Sequence, residues 1–245
     1  MVHPLRHMVV IAASLLIPAG AAAGDAPAIS PASDPAQAGM LDVATLAPGF
    51  VPDMRYAGSD NFTGRPVPGY EAPRCYLHAA AAQALARVQR RLQAQGHALR
   101  LYDCYRPVRA VQSFMRWVDD PADPADPADQ LAKARYYPNI DKGLLVEQGY
   151  IAAQSGHSRG ATVDLGLLDC RGGTCVERDM GTGFDRFDPL AHTDSAEITP
   201  SQRRNRQRLL EAMRAEGFAN YPMEWWHYTF QPEPTPGTAY DFPVR

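Results

Sequence analysis

Ser155-Gly156-His157-Ser158-Arg159-Gly160-Ala161-Thr162-Val163-Asp164-Leu165-Gly166-Leu167-Leu168 reads as a tight turn running into a strand. Glycine and serine surround His157, and turns use these residue types. From Ala161 to Leu168 the chain is small, apolar and β-branched, with Thr162, Asp164 and Gly166 on one face and Ala161, Val163 and Leu165 on the other. A second stretch, Glu224-Trp225-Trp226-His227, leads into a strand over Trp226–Phe230. Together the two stretches offer two imidazoles, one carboxylate able to ligate a metal and one able to act as a base. Two His and a carboxylate with one open position form a usual catalytic zinc set. An unligated Glu beside it is what a metallohydrolase needs as proton acceptor.

Each of these residues also has a plainer reading. A lone His on a strand is usually a surface or core residue, and His3, His7, His78, His97 and His192 lack any neighbouring pattern. Trp225, Trp226 and Tyr228 can be core aromatics, with Glu224 and His227 simply solvated. Residues three apart also point to opposite faces of a regular strand. For Glu224 and His227 to meet, the chain must bend near Glu224 or Glu224 must precede the strand; Pro222 permits such an entry.

Around these stretches the sequence predicts one α+β domain over 48–245, with a mostly antiparallel sheet, flanking helices and the metal site at the sheet. A helix over Tyr76–Gln95 carries Leu77, Ala81, Leu85, Val88 and Leu92 on one stripe. Ala98–Tyr105 is a strand on which Tyr102, Cys104 and Arg106 share a face if it stays regular. Pro107 then opens a helix through about Val118. The last helix starts at Thr199, with Pro200 at its first position and Gln202 closing a capping box, and Leu209, Leu210 and Met213 give it an apolar face. Arg203, Arg204, Arg206 and Arg208 are read as its solvated face. Asp53–Ala57 is a short strand, and the Pro-Ala-Asp repeats of about 120–129 form an exposed loop.

The N-terminus has the form of a secretory signal over 1–23: a short basic start, an apolar run from Met8 to Ile17, then Ala21-Ala22-Ala23. Residues 24–47, rich in Ala, Pro, Ser and Asp, are expected to be a flexible leader. Removal of 1–23 takes Arg6 and moves the net charge from -3 to about -4. That charge gives no electrostatic reason for a nucleic-acid partner, and no later stretch is suited to membrane insertion. A periplasmic or otherwise exported protein follows. In that compartment Cys75, Cys104, Cys170 and Cys175 admit three disulfide pairings, and Cys75–Cys104 with Cys170–Cys175 is favoured. A four-thiolate zinc site is the rival, although paired C-x-x-C knuckles are lacking.

Ser155-x-His157-x-x-Gly160-x-x-x-Asp164 with Glu224-x-x-His227 resembles the signature of the D-alanyl-D-alanine metallopeptidases related to hedgehog domains. Asp103-Cys104-Tyr105-Arg106-Pro107 and Glu224-Trp225-Trp226-His227-Tyr228 are closer still to the VanX-type D-Ala-D-Ala dipeptidases. Asp53–Ala57, Asn61-Phe62-Thr63-Gly64 and Met180-Gly181-Thr182-Gly183-Phe184-Asp185 resemble further motifs of that group. The resemblance implies one Zn²⁺ per chain held by His157, Asp164 and His227, with Glu224 as base and then acid. It implies that Arg106 stabilises the oxyanion, that Asp185 with Tyr56 anchors the substrate ammonium, and that Ser155 meets the substrate carboxylate. The implied activity is cleavage of the small substrate D-alanyl-D-alanine in peptidoglycan precursor turnover or recycling. A DD-carboxypeptidase acting on longer muropeptides and a non-catalytic peptidoglycan-binding module are the alternatives.

Overall fold

The computed structural model describes residues 26–245; the secretory signal read over 1–23 lies outside them. Ten strands and four α-helices form a mixed α+β domain among the described residues. The first three strands are β1 (Ala28–Ile29), β2 (Met40–Asp42) and β3 (Val51–Pro52). β4 (Tyr76–His78) leads straight into α1 (Ala79–Gln93), and β5 (His97–Asp103) precedes α2 (Val108–Asp119) and α3 (Pro127–Tyr136). β6 (Thr162–Asp169) and β7 (Val176–Glu177) form a hairpin. α4 (Pro200–Arg214), β8 (Phe218–Asn220), β9 (His227–Phe230) and β10 (Thr238–Ala239) complete the chain.

The main sheet has the order β3-β5-β6-β9-β8, with β7 also on β6. β3 pairs with β5 in parallel, whereas β5–β6, β6–β7, β6–β9 and β8–β9 are antiparallel. α1 and α4 pack on each other, with α1 against β5 and α4 against β6 and β8. Leu77, Ala81, Leu85, Val88 and Leu92 are all buried, so the apolar stripe faces the core as its period dictates. The α4 cap is the expected capping box: Thr199 and Gln202 each bond the other's backbone, with Pro200 at the first helical position.

Four expectations need correction. Residues from Ala28 onward are not a flexible leader. β1 pairs with β10, β2 pairs with β4, and Ala38, Met40, Val43 and Ala47 are buried. Scattered apolar residues amid Pro, Ser and Asp suffice once β4 offers an edge. For the same reason α1 begins at Ala79 and not Tyr76, because Tyr76–His78 is the strand that β2 pairs with. Asp53–Ala57 is no strand either. The chain curls into a 3-10 turn over Arg55–Ala57, with Arg55 bridging Asp53 and Asp60. The Pro-Ala-Asp loop is shorter than read, since Asp126 caps α3 with Pro127 at its first position.

Both favoured cysteine pairs are bonded, with Cα–Cα distances of 5.1 Å for Cys75–Cys104 and 4.0 Å for Cys170–Cys175. The first joins the start of β4 to the end of β5 across a sequence separation of 29. A loop of that size contributes roughly 3–4 kcal/mol on the chain-entropy model. The second closes the β6–β7 hairpin.

Candidate active site

Three neighbouring strands place one residue each in a single row. In the β5–β6 register Asp103 lies opposite Asp164, and in the β6–β9 register Asp164 lies opposite His227. Residues paired across strands project from the same face, so the three side chains emerge together. The register shift between Leu101 and Asp103 makes this possible on β5. It also changes the expected face. β5 ends at Asp103, and Arg106 reaches the site from the bend beyond it, not from a regular strand shared with Tyr102 and Cys104.

His157 arrives from the 3-10 turn Gly156–Arg159 just before β6. Ser155 caps that turn, its Oγ accepting from the His157 N–H at 3.2 Å. Gly160 then closes it at φ 73°, where a Cβ would stand 2.2 Å from the Met40 methyl. His157 Nδ1 lies 2.7 Å from the Cys104 carbonyl oxygen, which can only accept, so Nδ1 carries the proton and the Nε2 lone pair faces inward. The Cys75–Cys104 bridge therefore fixes the residue that orients His157.

The donor atoms of His157, Asp164 and His227 all lie within 4.8 Å of one another. His157 Nε2 is 3.2 Å from Asp164 Oδ2 and 3.4 Å from His227 Nδ1, which is itself 3.0 Å from Asp164 Oδ1. Asp164 Oδ1 is buried with no well-directed hydrogen bond despite that short approach. Burial alone would raise the Asp164 carboxyl, but the two imidazoles outweigh it and hold the group well below the usual range. Two ring nitrogens and a carboxylate, converging with an unsatisfied oxygen between them, suit a tetrahedral cation with one position left for solvent or substrate.

Glu224 stands beside this cluster, its Oε2 3.4 Å from His227 Nδ1. It precedes β9, in a turn where Glu224 N–H donates to Tyr221 O and His227 N–H to Glu224 O. That placement resolves the three-residue spacing. Burial, then the Asp164 carboxylate, push the Glu224 carboxyl well above its ordinary value. Arg106 donates through Nε to Asp103 Oδ2 at 2.8 Å, with Nη2 also 2.8 Å from that oxygen. Its guanidinium lies 5.1 Å from the ring centres of both Tyr56 and Phe114. These contacts leave it little freedom.

A cavity of about 210 Å³ opens onto the cluster. Arg106, Asp164, Glu224 and His227 line it, as do Tyr56, Ser155 and Asp185. His157 sits behind it, fully buried. At one side Tyr56 OH donates to Asp185 Oδ2 at 2.9 Å. Burial and the Asp164 charge push the Asp185 carboxyl well above the usual carboxylate range. Ligand sites for drug-sized molecules run to about 300–1,000 Å³, so this volume suits something smaller.

Residues 36–245 match the family model described as D-ala-D-ala dipeptidase. The chain belongs to this D-Ala-D-Ala dipeptidase family. It is 46% identical over 199 residues to the D-alanyl-D-alanine dipeptidase of Streptomyces coelicolor, covering 81% of this chain and 95% of that protein. Identity to the Enterococcus faecium dipeptidase is 42% over 193 residues, covering 79% and 92%. The Escherichia coli K12 dipeptidase is 32% identical over 189 residues, covering 77% and 83%.

Within this dipeptidase-family site, sequence reasoning quoted Asp103 in a motif without giving it a role and passed over Tyr70. Asp103 is fully buried; beyond Arg106, its Oδ1 accepts from Tyr70 OH at 2.6 Å and from the Cys104 N–H at 2.9 Å. An acid three residues before Arg106 was the available signal for Asp103. His78 and His97, left aside in the sequence, are buried with partners in Thr235 and the Leu168 carbonyl.

Proposed function

We propose that this dipeptidase-family chain is an exported zinc enzyme that hydrolyses D-alanyl-D-alanine to two D-alanines, in turnover or recycling of peptidoglycan precursors. One observation carries the reading. The convergent His157, Asp164 and His227 donors share a small cavity with a buried base, a fixed guanidinium and a buried carboxylate. Bound there, Zn²⁺ would supply a Lewis acid that polarises the scissile carbonyl and acidifies water to a pKa of about 7.

The chain's own residues do the rest. Glu224, with its raised pKa, takes the proton from the attacking water and returns it to the leaving amine. Arg106, kept cationic by Asp103, faces the oxygen on which negative charge develops. Asp185 and Tyr56 receive the free ammonium; a cation at that point restores the charge that burial disfavours on Asp185. Ser155 lines the cavity, which supports its reading as the residue that meets the terminal carboxylate. An internal peptide nitrogen carries no charge, so this pairing favours dipeptides over longer chains.

Export is supported by the N-terminal signal pattern and by the two bonded cysteine pairs. No helix among the described residues is long and apolar enough to cross a membrane. Kinetics on D-Ala-D-Ala and on a pentapeptide ending in D-Ala-D-Ala test substrate length. The dipeptide is expected to be preferred by about 100-fold or more in kcat/KM, since the longer chain offers no cation to the buried Asp185 carboxyl and leaves that polar group unpaired. Faster release of D-alanine from the pentapeptide would instead make the protein a carboxypeptidase.

A further inference from the structure

Arg206 was read from the sequence with the solvated arginines of α4, yet it is 1% exposed. Arg203, Arg204 and Arg208 are exposed as expected. Its position follows from periodicity, because 206, 209 and 213 fall on one stripe and Leu209 and Met213 are fully buried. Among the described residues no carboxylate forms an ion pair with it. The guanidinium donates instead to three backbone carbonyls: Nε to Met180 at 2.7 Å, Nη2 to Leu190 at 2.9 Å and Nη1 to His192 at 2.6 Å.

Those carbonyls belong to one segment and bracket Asp185. Met180 and Leu190 lie five residues to either side of it. Asp185 is also the one non-glycine residue with positive φ, 59°, among the described residues. Such a conformation persists only where the surroundings hold it. The segment is pressed close to α4. Gly181 has φ 91°, and a Cβ there would stand 3.0 Å from Ile198 Cγ2 and 3.3 Å from Arg206 Nη2. A second tie runs from Trp225 Nε1 to Thr182 Oγ1 at 2.8 Å. The planar fork of a guanidinium can reach three carbonyls at once, which a point-charge ammonium does poorly.

We infer that Arg206 is a positioning residue for substrate binding. By clamping both ends of the 180–192 segment it holds Asp185 where the substrate's free ammonium arrives, without itself touching substrate. This rests on the reading of Asp185 as the ammonium anchor given above, and the test separates the two.

The test is a double-mutant cycle of Arg206→Met and Asp185→Asn in the zinc-loaded enzyme, reading KM and kcat for D-Ala-D-Ala with zinc content and Tm alongside. Arg206→Met is expected to raise KM about tenfold or more, with kcat changed less than about threefold and one zinc retained. In the Asp185→Asn background the same change is expected to alter KM by less than about threefold, because the anchor it positions is gone. Equal losses in both backgrounds, or a fall in kcat with loss of zinc, would overturn the proposal and leave Arg206 a general stabiliser. If Arg206→Met does not fold, Arg206→Lys goes through the same cycle, and failure of both to fold would also overturn it. An unchanged KM in Asp185→Asn alone would refute the anchor reading itself, whatever Arg206 does.

Discussion

Glu224→Ala is expected to keep its zinc and bind D-Ala-D-Ala while losing about 10²–10⁴-fold in kcat, the usual contribution of a positioned general base. The substitution should be structurally mild. The turn holding Glu224 is closed by backbone groups, with Glu224 N–H on Tyr221 O and the Glu224 carbonyl accepting from His227 N–H and from the Asn220 side chain. None of these bonds uses the carboxylate. Its loss removes a buried acid held near His227 and relieves the burial cost that raises its pKa. Metal analysis and dipeptide binding on the purified variant, beside steady-state kinetics, separate the roles. Loss of zinc would make Glu224 a ligand; unchanged turnover would make it a bystander.

The second large effect belongs to Arg106. Removal of one oxyanion donor typically costs about 2.7–4 kcal/mol of barrier, or about 10²–10³ in kcat. Arg106→Ala would confound this with folding. It would strand Asp103, fully buried, without its cation, and breaking such a pair costs about 3–5 kcal/mol of stability. Arg106→Lys is therefore the cleaner variant, since it keeps a charge near Asp103 but lacks the fork that meets one oxygen through Nε and Nη2 together. It is expected to lose about 10²-fold in kcat with KM little changed, and to lose affinity for a phosphinate transition-state mimic by a similar factor. A raised KM with unaltered kcat would move Arg106 from stabilising the transition state to holding the ground state.

How far these residues could be read from the sequence depended on the distance over which each signal acts. The α1 stripe and the Thr199–Gln202 box are local, and both appear as read. The cavity residues belong to compact motifs, and the strand registers bring Asp164 and His227 side by side. What escaped was set by pairing between distant segments. β2 shows no strand pattern of its own and is ordered by β4, which in turn shortens α1. The β5 register shift, invisible in composition, makes Asp103 the inward acid and carries Arg106 round a bend. Arg206 was misjudged because its charge was weighed above its place on the Leu209 and Met213 stripe. The carbonyls that satisfy it come from residues 14 to 26 positions away in sequence.

The central claim is that His157, Asp164 and His227 hold one zinc ion with which the chain cleaves D-Ala-D-Ala. Its most direct test is to strip the protein with a chelator and titrate Zn²⁺ back while measuring D-alanine released from the dipeptide. The prediction is negligible release from the stripped protein, a rise to a plateau at one zinc per chain, and two D-alanines per dipeptide consumed. Undiminished release from metal-free protein, or no release from protein saturated with zinc, would contradict it.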